Sequence, residues 1–120
     1  MKKTILAFVL ALGMLAAADN SFAAGAIAVD DEQGGKAADV GYGIGSAATR
    51  EEAGAIALAE CKKSGNANCK IAVRYDTCGA YAASKDYSGI GWGASESIAK
   101  AKALEACGAG CKIAVSDCDK

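Results

Sequence analysis

Part of this chain is written twice. Gly43-Ile44-Gly45 through Cys61 and Gly89-Ile90-Gly91 through Cys107 run in parallel at a constant shift of 46. Gly43, Ile44, Gly45, Ala48, Ala53, Ala55, Ala57, Leu58 and Cys61 each meet the same residue type in the second copy. After a loop of different length, Cys69-Lys70-Ile71-Ala72-Val73 matches Cys111-Lys112-Ile113-Ala114-Val115. Each copy then closes on a cysteine, Cys78 or Cys118, and Gly25-Ala26-Ile27-Ala28 upstream resembles Gly79-Ala80-Tyr81-Ala82. Alanine-rich stretches align by chance, but the shared glycine, leucine and cysteine positions argue for a true duplication. Repeat one is placed at 25–78 and repeat two at 79–118.

Each copy reads strand, strand, helix, strand. Period-two alternation carries the strands. Ile27 and Val29, then Val40, Tyr42 and Ile44, then Ile71, Val73 and Tyr75 would share one face, with Lys70, Ala72 and Arg74 opposite. The second copy offers Tyr81 and Ala83, Ile90 and Trp92, and Ile113 and Val115. Thr49-Arg50-Glu51-Glu52 is a capping-box start, in which the Thr hydroxyl accepts the amide three residues on, and Ser95 stands at the equivalent cap. The helices run to about Cys61 and Cys107, with buried stripes expected at Ala55, Leu58 and Cys61 and at Ile98, Ala101, Leu104 and Cys107. Gly108 and Gly110 suit the exit from the second helix. The expected fold class is α+β, a mostly antiparallel six-stranded sheet with both helices on one face, related by a pseudo-twofold axis. The insertion from Asp31 to Asp39 has no counterpart in the second copy and is expected to be solvated and mobile.

The first residues read as a secretory signal peptide: Lys2 and Lys3, an apolar run to Ala18, and a small-x-small site at Ser21-Phe22-Ala23. Cleavage is placed after Ala23, with Ala18 as the alternative, so 1–23 is the signal and 24–120 one disulfide-stapled domain. The run is short of the roughly 20 residues a spanning helix needs, so a periplasmic or secreted product without membrane insertion is expected. Without 1–23, the basic and acidic counts fall from 13 and 14 to 11 and 13. That balance, without a basic run, argues against nucleic acid as partner. The remainder has no Phe, Met, Pro or His, and only 18 residues are Val, Ile, Leu, Tyr or Trp. At roughly 1.5–3 kcal/mol per buried large side chain, so thin a core needs covalent help.

The six cysteines supply it as disulfides. Sequence alone allows roughly 15 pairings of six cysteines; the repeat favours Cys61–Cys69 and Cys107–Cys111 within the copies, and Cys78–Cys118, at equivalent strand ends, as a bond joining the two copies. Other chemistry finds little footing. A metal site would want His or closely paired cysteines, and no His is present. A reactive thiol would need a thiolate-stabilising neighbour, for which only Lys62, Lys70 and Lys112 offer themselves. Gly43-Ile44-Gly45-Ser46-Ala47-Ala48 matches a dinucleotide-type GxGxxA, but glycines easing strand packing before a helix explain it as well. Asp30, Asp31, Glu32 and Asp39 lack EF-hand spacing. The common hydrolase triads lack their histidine. No cofactor is implied.

The sheet face away from the helices would carry Ala26, Ala28, Gly41, Gly43, Gly45, Ala72, Ala80, Ala82, Gly89, Gly91 and Ala114, with Lys70, Arg74 and Lys112. A flat small-residue face admits another surface, so Lys70, Arg74 and Lys112 are the candidate binding residues for a partner protein or a second copy of the chain. Ala26-Ile27-Ala28-Val29-Asp30, the Gly-Ile-Gly before each helix, the Ala-Leu-x-x-Cys helix ends and Cys78-Gly79-Ala80-Tyr81-Ala82 resemble the family known as domain of unknown function 4189. The resemblance covers nearly all of the chain after the signal. It implies small secreted or periplasmic bacterial proteins and carries no established activity. The expected function is therefore a non-enzymatic protein-binding module of the cell envelope or exterior, of inhibitor, immunity or host-interaction type. A small thiol-redox or hydrolytic enzyme and a structural envelope component are the alternatives.

Overall fold

The computed structural model describes residues 24–32 and 36–119. The expected signal segment, 1–23, lies outside the described residues. The first half forms β1 (Ala24–Asp30), a short 3-10 turn (Ala37–Asp39), β2 (Gly41–Ala47), helix α1 (Arg50–Lys63) and β3 (Lys70–Tyr75). The second half forms β4 (Cys78–Ala83), β5 (Ser88–Gly93), helix α2 (Glu96–Cys107) and β6 (Lys112–Cys118). Both helices start where the caps lie: Thr49 Oγ1 accepts the Glu52 amide at 3.1 Å and Ser95 Oγ accepts the Ile98 amide at 3.2 Å. Gly108 and Gly110 leave α2 with φ of +101° and +82°, a region L side chains rarely enter.

The strands form two antiparallel three-stranded sheets, ordered β2-β1-β3 and β5-β4-β6, in place of the expected single six-stranded one. The central strands β1 and β4 each hold a neighbour on both sides within their own sheet, and the two halves meet through sheet faces instead of joining strand to strand. One apolar cluster draws on both sheets: Ile27, Val29, Val40, Val73 and Tyr75 from the first half meet Tyr81, Ala83 and Val115 from the second. Two further clusters put each helix on its own sheet's other face. Ala53, Ala57 and Cys61 of α1 lie on Ala26 and Ala28, and Ala99, Ala103 and Cys107 of α2 lie on Ala80 and Ala82. The layers therefore run helix, sheet, sheet, helix.

This arrangement corrects the expected polarity of the sheet. The large-residue face meets the other sheet, and the small-residue face, expected to be open, lies under the helices. Glycines set how close each helix sits. A Cβ on Gly43 would overlap backbone atoms of Cys61 and Ala57, and one on Gly89 would overlap those of Cys107 and Ala103. The helix stripes shift accordingly, to alanine and cysteine at i, i+4 and i+8. Leu58 is only partly buried, and Ile98 and Leu104 are exposed. A bulky side chain has no room against a strand without Cβ atoms.

Alternation also breaks in β3 and β6. Ile27 pairs with Val73 but Ala28 pairs with Ile71, and Tyr81 pairs with Val115 but Ala82 with Ile113. The extra residue, Ala72 or Ala114, packs on the inter-sheet core, while Ile71 and Ile113 turn to the helix side. One inserted residue flips every side chain beyond it. Lys70 thereby moves to the inter-sheet side, while Arg74, paired with Ala26 on the unshifted side of the bulge, stays on the helix side.

Two tyrosines clasp the sheets together. The Tyr75 hydroxyl donates to Asp117 at 2.7 Å, and the Tyr81 hydroxyl donates to Asp31 at 2.8 Å. The Tyr75 ring occupies the space that side chains on Gly25 and Gly79 would fill. Burial, reinforced by the carboxylate it bonds, raises both phenols, Tyr81 to about 12 and Tyr75 further. An unfolded chain releases these protons near pH ~10, so their stabilising contribution is complete below that pH. It is lost as pH rises from there through the folded values. Denaturant midpoints should fall between pH 9 and 11, and a Tyr75→Phe/Tyr81→Phe double variant should show a flatter fall. An unchanged slope in that variant would assign the alkaline loss to other groups.

The insertion is solvated as expected, with Glu32, Lys36, Ala38 and Asp39 exposed, but it is tied to the fold at its two ends. Asp31 bonds Tyr81 and pairs with Lys70 at 3.4 Å, and Val40 is buried in the inter-sheet core. Asp30 is buried and accepts the amides of Glu32 and Asn68. The 3-10 turn touches β6. The insertion is thus partly built into the fold, and Gln33, Gly34 and Gly35 lie outside the described residues.

Candidate functional site

The three bonds are Cys61–Cys69, Cys78–Cys118 and Cys107–Cys111, the pairs the repeat favours, and no cysteine is free. Two of them tie the end of a helix to the next strand. The third joins directly opposed residues of β4 and β6, so it lies within the second sheet and does not link the two halves as expected, because Cys78 opens β4 instead of closing the first half. The scaffold around any surface site is therefore held at both helix ends and across the second sheet.

Lys70, Arg74 and Lys112 do not share one open face. Lys70 pairs with Asp31 on the inter-sheet side. Arg74 lies on the helix side, where its Nε donates to the Arg50 carbonyl at 3.3 Å and its guanidinium fills the space beside Gly54. Lys112 stands opposite Ala83 on β4, beside a hollow lined by Lys36, Lys85 and Gly110. The GxGxxA glycines are explained by helix packing. Among the described residues, no group of three or more His, Cys, Asp or Glu side chains is placed to hold a metal ion.

The open apolar surface lies elsewhere. β3 and β5 are edge strands of different sheets that approach one another, and a groove of about 310 Å³ runs between them. Arg50, Ile71, Ala72, Val73, Arg74, Ile90 and Trp92 line it. Trp92 is 53% exposed and Ile90 is partly open beside it. Both project from the inter-sheet side of β5, beyond the margin of the opposite sheet. Arg50 is fixed at the rim, its Nη2 at 2.9 Å and Nε at 3.3 Å from the same Asp76 oxygen. Across the molecule the insertion touches β6, so that margin differs from the one at β5.

Sequence reasoning missed Trp92, Ile90 and Arg50 as surface residues because alternation assigns Trp92 to a core face. The available signal was the exchange at shift 46: Trp92 stands where the first copy has Ser46. A position that accepts both serine and tryptophan is not enclosed.

The model of the family described as a domain of unknown function (DUF4189) matches residues 24–118. The chain belongs to this family. No curated protein and no solved structure matches it. The matched stretch takes in every strand, both helices and all three disulfides, so membership covers the whole described fold. The family description assigns no activity, and no catalytic residue is carried over from it. Among the described residues no helix is long and apolar enough to cross a membrane, a finding that concerns helices and not strands.

Proposed function

We propose that the protein is a non-enzymatic binding module that holds a protein partner in the groove between β3 and β5, in the cell envelope or outside the cell. One observation supports the reading above others: the chain's single tryptophan stands 53% exposed on a strand of a disulfide-braced sheet, beside a groove rimmed by two arginines. Leaving Trp92 in water forgoes a large hydrophobic gain that so small a core would otherwise use. Tryptophan and arginine are the residue types that most often carry interface energy. A rigid scaffold lowers the ordering cost of docking. The three disulfides agree with an oxidising compartment.

The test uses Trp92 itself. Capture from native envelope or host extract should recover one specific partner, and its addition should shift the single-tryptophan emission to the blue as the indole is covered. Trp92→Ala should weaken that binding by about tenfold or more while leaving the thermal midpoint nearly unchanged. A specific partner that binds the variant equally well, or that leaves the emission unmoved, would remove the groove from the reading.

A further inference from the structure

We propose a second, separate binding site on this chain: the outer edge of β2 together with α1 accepts an extended peptide that presents basic, apolar, basic side chains at alternate positions. β2 is an edge strand, hydrogen-bonded to β1 alone. Alternate N–H and C=O groups of such an edge point away from the sheet and are satisfied by an added strand.

The edges of this protein are not protected alike. β3 and β6 each carry a bulge in their pairing and charged side chains, Lys70 and Arg74 on one and Lys112 and Asp117 on the other. Those are devices that discourage strand addition. β2 reads Gly-Tyr-Gly-Ile-Gly-Ser-Ala, and its register against β1 is unbroken over all seven residues. Like β5, it has neither a charge nor a proline to turn a strand away, and what sets it apart from β5 is the helix beside it.

α1 supplies the wall that selects the occupant. It lies along β2 so that Ile56 stands over Gly45 and the Glu60 backbone over Gly43. Beside the strand a shallow trough of about 370 Å³ is lined by Tyr42, Ile44, Ser46, Ile56, Glu60 and Ser64. Ile56 is 41% exposed and Tyr42 45% exposed. Glu52, Ile56 and Glu60 follow at intervals of four on one side of α1, roughly 6 Å apart. Same-face residues of a strand repeat at roughly 6.6 Å, so an added strand can match all three in register. Two carboxylates flanking an isoleucine call for two cations flanking an apolar residue. Glu60 Oε2 is paired with Lys63 at 3.6 Å, an exposed pair that an incoming cation can exchange. The other side of the added strand would lie along Tyr42 and Ile44, which favours β-branched residues there.

The second half does not reproduce the charge pattern. At shift 46 the residues matching Glu52, Ile56 and Glu60 are Ile98, Lys102 and Ala106. The acidic groove therefore belongs to β2 alone, and the site does not depend on the groove that holds Trp92.

The experiment takes the disulfide-intact, isotope-labelled protein and a fluorescent capped peptide, Thr-Lys-Val-Ile-Val-Lys-Thr, at low salt. Binding is read by anisotropy and located by amide shifts. Saturable binding is expected, with shifts on 41–47 and along α1. Exchange of both peptide lysines for glutamate should weaken it roughly tenfold or more, and methylation of the peptide's bonded amides should abolish it. Glu60→Lys should weaken binding roughly two- to fivefold, the range of one exposed ion pair. Failure to bind, equal affinity for the glutamate peptide, or shifts confined to β5 would overturn the assignment. Concentration-dependent shifts on β2 without peptide would assign the edge to a second copy instead, and would overturn it too.

Discussion

Gly43→Ala should lower the thermal midpoint of the oxidised protein by roughly 15 °C, and Gly43→Val should prevent native oxidation altogether. A methyl on Gly43 overlaps the Cys61 nitrogen and the Ala57 carbonyl, both backbone atoms of α1. No rotamer change relieves such a contact, so the helix must lift off β2. Lifting it opens the cluster of Ala26, Ala28, Ala53, Ala57 and Cys61 and pulls on the Cys61–Cys69 bond. Overpacking in a filled core costs about 1–3 kcal/mol and more when backbone must move, so about 3 kcal/mol is expected for alanine. A domain of this length loses roughly 4–8 °C per kcal/mol. Gly89→Ala should behave alike, since Cys107 and Ala103 stand in the same relation to β5. A midpoint within a few degrees of the parent in circular-dichroism melts would show that α1 does not rest on β2 as described.

Full reduction should unfold the protein at room temperature. The bonds close sequence separations of 8, 40 and 4 residues. Chain-entropy estimates for such loops are about 2.6, 4 and 2 kcal/mol. Their total is of the order of the whole stability of a small domain, about 5–15 kcal/mol. The inter-sheet core that remains is eight buried residues, two of them aromatic. Near-UV ellipticity from the buried tyrosines should vanish on reduction. Among paired Cys→Ala variants, loss of Cys78–Cys118 should lower the denaturant midpoint most. It closes the longest loop and joins directly opposed residues of β4 and β6. A reduced protein that keeps its near-UV signal would show that packing alone suffices.

The two expected effects rest on features of different legibility. Two of the cysteine pairs follow from the repeated pattern in the sequence, since Cys61 and Cys69 flank the same helix-to-strand turn as Cys107 and Cys111. The helix caps were readable for a local reason: a hydroxyl that satisfies an amide three residues on needs no tertiary partner. The glycines were visible, but their purpose was not. Alternation divides a strand into a large and a small face and is silent on which layer covers each. Two coverings compete, and only the whole fold ranks them.

The candidate sites show the same divide. Trp92 lies on the face that alternation calls core and is exposed because the opposite sheet ends at β3. Lys70 and Arg74 looked like neighbours on one face until the bulge at Ala72 separated them. A bulge inserts one residue with no distinctive composition, so period-two reading passes through it unaware. The edge status of β2 depends on strand order, which is settled by β1 taking β2 and β3 as its neighbours.

Local patterning is enough for the α+β class, the strand-strand-helix-strand order of each half, the helix starts and the two disulfides at the helix ends. These depend on interactions between residues near in the chain or on the repeat. That there are two sheets, that glycine faces lie under helices, and which large side chains stay in water all depend on contacts between residues distant in the chain. Each half has two apolar faces and only one helix to cover them. The uncovered, larger face is buried most fully against its counterpart in the other half, and no local pattern encodes that choice.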